Sequence, residues 1–468
     1  MLPKAVLSPP PRGGKRNQRS SASFTADKLT RWLEGDRLRL WEESCTAQAP
    51  HRKGADSAAD RLRKADMYSR EGFDHKACSA LTADEVCQPT AANAREVRRL
   101  HPQASAPNCP LMSDLPMAAR ITQEMVSDAL KSFPKDSAPG PSGLRVQHIL
   151  ESLTPAQRDA VTEQLTAVAQ LLANGDAPSD VAPHVAGASL MALVKPNGSL
   201  RPIAMGEVLR RITGKCLCSA VKEEAQQYFK PVQVGVATKL GIDGAVHAVR
   251  RWRDWNLGRQ DKVLLKIDFE NAFNCVNREK ALSVTRSQFP SLARFSQWCY
   301  AHPSRLLFGK HVVKSAVGVQ QGDPLGPLLF SAAIHSLATD LSEMRVNGVK
   351  LDLLAFYLDD GVCAGDIEVV AEALRRIQAQ AAELGLKLNL GKCELITEAP
   401  SAPVILHRHF PREVLLDLKS GASRVATSGN FELLGSAIGD ALFCEQFAKG
   451  RVAKAKKLLK LLPDLAGP

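Results

Sequence analysis

Aromatic side chains are scarce, 5% of the 468 residues, so a broad platform for stacking bases is not how this chain would hold a nucleic acid. There is no Cys-x-x-Cys pair. The 11 cysteines are scattered singly, Cys216 and Cys218 being the closest, and Cys78, Cys87, His101 and Cys109 fall into no usual zinc spacing. An odd, dispersed set of thiols points to the reduced state and an intracellular protein, with Cys275, Cys299 and Cys363 set in apolar stretches as core residues. No run of 18 or more apolar residues occurs, and the N-terminal MLPKAVLSPPPRGGKRNQRSS lacks the apolar stretch of a signal peptide; no membrane association is expected. Acid is also in deficit. The 61 Lys and Arg outnumber the 49 Asp and Glu, and the net charge of +12 suits a polyanionic partner.

The pattern that is present divides the chain. Residues 1–25, rich in Pro, Gly, Arg and Ser, are expected to be a disordered basic tail. Residues 26–136 read as a helical and irregular extension, with TADKLTRWLEGDRLRLWEES as its clearest helical stretch and no legible chemistry. Further on, Thr154-Pro155-Ala156-Gln157 predicts a helix start, followed by Val161, Leu165, Val168 and Leu172 on one face and a stop at Asn174-Gly175. ASLMALVK, the turn Pro196-Asn197-Gly198-Ser199 and LRPIAM predict a β-hairpin, and GEVLRRITGKCLCSAVKEEAQQYF is helical by spacing. KVLLKIDF (262–269) and LLAFYL (353–358) read as short buried strands, while Ile367, Val370, Leu374, Ile377, Ala381 and Leu384 trace a helical face. Strands separated by long helical crossovers exclude an all-helical fold. The segment 447–463, FAKGRVAKAKKLLKLLP, is expected to be a basic amphipathic helix, without an acidic residue.

Two acidic sites stand out. Asp268 ends an apolar strand in KIDFENAFN, where a carboxylate can project from a sheet edge into a cleft, although most such residues are turn formers or helix caps. In AFYLDDG (355–361), Asp359 and Asp360 are adjacent; an Asp-Gly hairpin turn would account for Asp360-Gly361 but not for Asp359. Like charges this close raise each other's pKa unless a cation offsets them, and Mg²⁺ prefers carboxylate oxygen while keeping positions for water and phosphate. If Asp268 and Asp359 meet, they can hold two divalent ions for a nucleotidyl transfer.

DFENAF resembles motif A of reverse transcriptases of the non-LTR retroelement type, and FYLDD resembles their motif C, the Tyr-x-Asp-Asp box. Between them GVQQGDPLGPLLFSAAIH (318–335) is similar to motif B; GLKLNLGKCEL (385–395) and FELLGSAIG (431–439) are similar to motif D and the primer grip. Upstream, LVKPNGSLRPIAMGEVLRRITGK resembles the two fingers motifs and GPSGLR (140–145) the additional N-terminal motif of non-LTR elements; all stand in family order within 137–440. The resemblance implies an α+β right-hand polymerase of fingers and palm, the palm a small antiparallel sheet backed by helices, with 441–468 the start of a truncated thumb. It implies RNA-directed DNA synthesis with Mg²⁺ (or Mn²⁺), an RNA template, a DNA primer and deoxynucleoside triphosphates, and a nuclear location. It makes Asp268 and Asp359 metal ligands with Asp360 in support, and places Lys392 near the leaving pyrophosphate as a proton donor. Lys195 and Arg201 would bind the triphosphate, Phe273 would exclude a 2′-hydroxyl, and Gln321 and Gly322 would lie along the nucleotide and its template base. Phosphate contacts are expected from Lys449, Arg451, Lys454, Lys456, Lys457 and Lys460. The alternatives are a degenerate element product that binds nucleic acid without polymerising, and an RNA-dependent RNA polymerase, which Phe273 and the Tyr-x-Asp-Asp box disfavour.

Overall fold

Residues 188–206 form the expected hairpin, β1 (Ala188–Val194) and β2 (Leu200–Gly206), with Val194 opposite Leu200. Its turn is longer than a two-residue Asn-Gly: the Lys195 N–H donates to the Ser199 carbonyl at 2.8 Å, and Gly198 supplies the left-handed residue at φ 79°. KVLLKI becomes β3 (Lys262–Ile267). A second hairpin, β4 (Ser304–Phe308) and β5 (His311–Ser315), was not anticipated; β4 docks parallel to β1, giving a first sheet of order β2-β1-β4-β5. The computed structural model describes residues 5–7, 21–46, 58–70, 77, 78, 80, 81, 86–134, 137–195, 197–398 and 404–459.

The second sheet is the palm. β6 (Leu353–Tyr357), β7 (Asp360–Asp366) and β8 (Glu394–Ile396) join β3 in the antiparallel order β6-β7-β3-β8. Alternate residues of β3 feed two cores, as a period of two requires. Val263, Leu265 and Ile267 enter the main core with the helices, whereas Leu264 joins Val362, Ala364 and Ile396 against Val246 and Val249 of helix Gly241–Trp255. Helix Ile367–Ala381 backs β3 and β7, and its predicted stripe of Ile367, Val370, Leu374, Ile377 and Ala381 is buried. Helix Gly326–Glu343 buries 11 of its 18 residues, which marks it as the central helix rather than a surface one. A short hairpin, β9 (Phe431–Leu433) and β10 (Ser436–Ile438), turns at Leu434-Gly435, both at positive φ as a tight hairpin favours.

Several expectations need correction. Thr154–Gln157 is a turn and the helix runs Arg158–Ala173; Thr162, Ala169, Leu172 and Ala173 are its buried residues, while Val168 is 39% exposed. Leu172 and, in part, Leu165 of the expected face join the core, and Thr162, Ala169 and Ala173 complete it on the side that packs on helices Gln123–Lys131 and Val208–Ala220. Val221 breaks the stretch 206–229 into helices Val208–Ala220 and Lys222–Phe229. Residues 21–25, assigned to the disordered tail, lie in helix Ser21–Leu33, while 8–20 lie outside the described residues. The extension is not one unit either: Cys87, Ala94 and Val97 share a core with Ala188, Leu190 and Phe308 of the first sheet. The basic helix is present as Ala441–Leu459, but its described side chains are all exposed or half-buried, Leu442 and Val452 included, so it presents no buried apolar face. Among the described residues no helix is long and apolar enough to cross a membrane.

Candidate active site

Strand pairing brings the acidic residues together. Ile267 of β3 stands opposite Gly361 of β7, so Asp268, one step further, meets the start of β7 at Asp360. Tyr357 pairs with Asp360, which leaves Leu358 and Asp359 as the two turn residues. The Asp-Gly turn suggested by the sequence is therefore not the turn used. Gly361 lies within the sheet, where a Cβ would come within 2.6 Å of the Phe356 ring. Leu358 takes the positive φ instead, at 59°.

Burial and mutual repulsion define the electrostatics here. Burial first, and the neighbouring Asp360 charge second, push the Asp359 carboxyl up to about 6. Asp360 is raised by burial and by Asp268, although the residue as a whole is exposed. Asp268 is also raised by burial, against the opposing pull of Lys392 and Lys195. The Lys392 ammonium stands 3.8 Å from Asp268 Oδ2, and that buried oxygen has no hydrogen-bond partner. Burial, with the charges of Arg201 and Lys392, lowers Lys195.

These groups line one cleft of about 1260 Å³. Asp268, Asp359, Asp360, Lys195, Arg201, Lys392, Phe273, Gln321 and Gly322 all open onto it. Phe273 is 9% exposed and stacks on Phe330, with ring centroids 4.7 Å apart and planes 11° apart, so it is a core residue and a wall residue at once. Gly322 sits at φ 111°, and a Cβ there would meet the Ala204 carbonyl, while the Ala204 N–H donates to the Gln321 carbonyl at 2.8 Å. The first sheet is thus tied directly to the Gln321-Gly322 loop. Among the described residues, none of the C-terminal helix lines this cleft. Lys449 pairs with Glu445 at 2.6 Å, and Arg451 donates to the Gly435 carbonyl and lies over the Phe447 ring. Lys454 and Lys456 are exposed; Lys460 and the side chain of Lys457 lie outside the described residues.

The donor set fits divalent metal ions: three carboxylates, one with a buried oxygen that lacks a hydrogen-bond partner, and raised pKa values that a cation would relieve; no imidazole is among the described lining residues, and burial raises the pKa of the Cys275 thiol there, which keeps it protonated. As they stand, no three His, Cys, Asp or Glu side chains among the described residues form a ready chelate.

Other cleft residues were missed in the sequence. Glu96, Arg99, Leu100 and Pro102 of the extension form part of the wall, anchored where Asn271 Nδ2 donates to the Leu100 carbonyl at 2.7 Å. No local pattern announces a contact across 171 residues. Beneath the Gln321-Gly322 loop, buried Arg210 bonds to Asp323 (2.6 Å), Gln320 (2.7 Å) and the Ala186 carbonyl (2.6 Å), and Tyr300 donates to the same Asp323 oxygen. Arg278 lies over the other side of this cluster, its guanidinium 5.1 Å from the Tyr300 ring, and donates to the carbonyls of Gly318, Tyr300, Ser315 and Val317.

The family model described as reverse transcriptase (RNA-dependent DNA polymerase) matches residues 193–438, just over half of the chain. The retrotransposable element SLACS 132 kDa protein of Trypanosoma brucei gambiense is 27% identical over 325 residues, covering 65% of this chain and 26% of that protein. Pol polyproteins from type-1 retrotransposable element R2 are also similar. The one from Nasonia vitripennis is 27% identical over 217 residues, 43% of this chain and 20% of that protein. The one from Popillia japonica is 27% identical over 319 residues, 62% of this chain and 41% of that protein. This chain therefore spans between about a fifth and two-fifths of the length of these relatives. Telomerase from Candida albicans, solved in complex with a TWJ fragment of telomeric RNA, overlaps 54% of this chain and 44% of that one at 11% identity and a TM-score of 0.38, too loose a likeness to bear on the site.

Proposed function

Because the chain belongs to the reverse transcriptase family, on its non-LTR retroelement branch, we propose that it is an RNA-directed DNA polymerase adding deoxynucleotides to a DNA primer on an RNA template. The observation that carries this reading is the meeting of Asp268, Asp359 and Asp360 at one sheet end, in the same cleft as Lys195, Arg201 and Lys392. Carboxylates beside cationic side chains in one cleft suit a triphosphate and the ions that accompany it.

In the reaction the primer 3′-oxygen attacks the α-phosphorus, the new P–O bond forms, and the bond to the pyrophosphate breaks. Asp268 and Asp359 would hold Mg²⁺, with Mn²⁺ as substitute and Asp360 in support; the bound ions supply activation of the 3′-hydroxyl and neutralisation of the pyrophosphate. Lys195 and Arg201 bind the triphosphate oxygens from the β1–β2 hairpin. Lys392, 3.8 Å from Asp268 Oδ2, would donate a proton to the leaving pyrophosphate. Phe273 lies beneath the sugar, braced by Phe330, and the Gln321-Gly322 backbone supports the nascent base pair.

The test is primer extension on an RNA template with each set of nucleotides, with Mg²⁺ and with chelator. Extension with deoxynucleotides and Mg²⁺, little with ribonucleotides and none with chelator, is expected. A folded protein that binds the primer-template but extends nothing overturns the reading.

A further inference from the structure

The turn carrying Asp359 holds a conformation that its own sequence does not favour. Leu358 sits at φ 59°, a region that L residues with branched, bulky side chains rarely enter, and no glycine or asparagine stands there to make it easy. A conformation of this kind persists where its surroundings fix it. The fixing groups lie 125 residues earlier in the chain. Segment 232–234 runs alongside the free edge of β6: the Phe356 N–H donates to the Val232 carbonyl at 2.7 Å, and the Val234 N–H donates to the Phe356 carbonyl at 2.8 Å. Gln233, between them, is 2% exposed.

Its side chain continues the ladder where β6 ends. Oε1 accepts from the Leu358 N–H at 2.9 Å and from the Gly235 N–H at 3.0 Å, while Nε2 donates to the Leu358 carbonyl at 3.2 Å. Both backbone groups of the left-handed residue are therefore satisfied by one amide. Gly235 lets the segment come this close, since a Cβ there would stand 2.7 Å from the Leu358 nitrogen. An amide serves both kinds of group: a carboxylate could accept but not donate, and an apolar side chain would leave three part-buried backbone groups without this partner.

We propose that Gln233 is a positioning residue for the polymerase reaction, clamping Leu358 in its left-handed conformation so that Asp359 is presented to the metal ions. This rests on the polymerase reading above. Gln233 touches neither substrate nor metal; it acts through the turn.

The experiment compares the full chain with Gln233→Ala, Gln233→Glu, Leu358→Gly and the double variant Gln233→Ala/Leu358→Gly. Three quantities are read: the melting temperature, the Mn²⁺ concentration that half-saturates the metal-induced rise in melting temperature, and kcat and KM for a deoxynucleotide in primer extension. Gln233→Ala should raise the Mn²⁺ midpoint severalfold and lower kcat about tenfold or more, with KM changed less than twofold. Gln233→Glu should fall between. Leu358→Gly, which lowers the conformational cost of the turn, should restore much of the metal affinity and of kcat in the double variant. A purely structural role would lower the melting temperature without moving the Mn²⁺ midpoint, and Leu358→Gly would not rescue it. That outcome, or a wild-type midpoint and kcat in Gln233→Ala, overturns the proposal. Should Gln233→Ala fail to fold, Gln233→Glu, which keeps the size and both accepted bonds, decides on the same readouts. A wild-type protein that binds Mn²⁺ but extends no primer defeats the polymerase reading, while the Mn²⁺ midpoints still decide the role of Gln233.

Discussion

Two polar clusters lie a short way apart in this molecule and are built on opposite terms. Around Asp323, the buried guanidinium of Arg210, the Tyr300 hydroxyl and Gln320 meet each other's hydrogen-bonding needs except at Arg210 Nε, and the one carboxylate is paired with a full positive charge. At the ends of β3 and β7, three carboxylates crowd together, one buried oxygen has no hydrogen-bond partner and the turn between β6 and β7 is held at a positive φ. The satisfied cluster stabilises the fold and shapes the Gln321-Gly322 loop. The unsatisfied one is left with chemistry to complete. Polar groups that burial makes costly and the fold does not satisfy are the ones to read as functional.

The contrast is broken most sharply at Asp359. Asp359→Asn should reduce primer extension by roughly a thousandfold or more, since the carboxylate acts on charge developing in the transition state, and should leave RNA affinity within twofold. In chelator the same substitution should stabilise the protein. Because the Asp359 carboxyl is raised to about 6, its contribution to stability is fully present below about pH 4 and is lost as pH rises through 6. Above that pH the wild-type penalty is about 1–2 kcal/mol after allowance for solvent screening. Denaturant melts in chelator at pH 4 and pH 7 check this: the variant should gain at pH 7 and not at pH 4. A variant less stable at pH 7 would mean that Asp359 is a structural residue.

Arg210→Met should behave in the opposite way. It strands Asp323 in a buried site, a loss of roughly 3–5 kcal/mol, and activity should fall in proportion to the unfolded fraction, with KM and metal requirement unchanged in the protein that remains folded. Chemical denaturation beside single-turnover extension measures both. Full stability with altered nucleotide KM would move this network from architecture into the site.

The sequence displayed the unsatisfied cluster and hid the satisfied one. Asp268, Asp359 and Asp360 stand at ends of apolar runs, so reading those runs as buried strands locates them, and pairing of β3 with β7 then brings them together. The apolar run KVLLKI and the stripe from Ile367 to Ala381 were legible because one strand and one helix suffice to define them. Arg210, Tyr300 and Asp323 carry no local signal, since their bonds cross 113 and 23 residues and exist only once the fold has formed. The β4–β5 hairpin was also missed, despite Gly309 at φ 58° between two apolar runs, because strands of five residues give little periodicity. The helix face at Val168 failed for a different reason: the buried side is centred on Ala169, Leu172 and Ala173, and small residues there escaped a reading that followed the larger apolar ones.

Phe273 stands between the two kinds of residue, being stacked in the core and exposed to the cleft. Phe273→Ala should cost about 3–5 kcal/mol in stability as a large core truncation. If the ring also excludes a 2′-hydroxyl by a clash, the ratio of ribonucleotide to deoxynucleotide incorporation should rise by about tenfold or more, corresponding to at least about 1.4 kcal/mol of lost discrimination. Incorporation efficiencies for one matched pair, measured at a temperature where the variant is folded, give the ratio. An unchanged ratio with lowered stability would assign Phe273 to the core alone.

The smallest effect is expected on the C-terminal helix, where charge is exposed and only partly paired. Lys449 and Arg451 already have partners in Glu445 and the Gly435 carbonyl, so they are poorer candidates for phosphate than the full basic run suggested. Lys454 and Lys456 are exposed. Each phosphate contact to duplex contributes about 0.9 to the slope of log affinity against log salt, and somewhat less on a single strand. Lys454→Gln/Lys456→Gln should therefore flatten that slope by up to about 2 and weaken binding at low salt, with little change at high salt. Lys449→Gln should flatten it less, because the substitution also frees Glu445, whose charge then repels the same phosphates. Fluorescence anisotropy with a primer-template duplex over a salt series separates the three variants from wild type. Equal slopes throughout would remove this helix from the nucleic-acid surface and leave the cleft, with Lys195 and Arg201 on its hairpin, as the place where the basic excess of the chain is used.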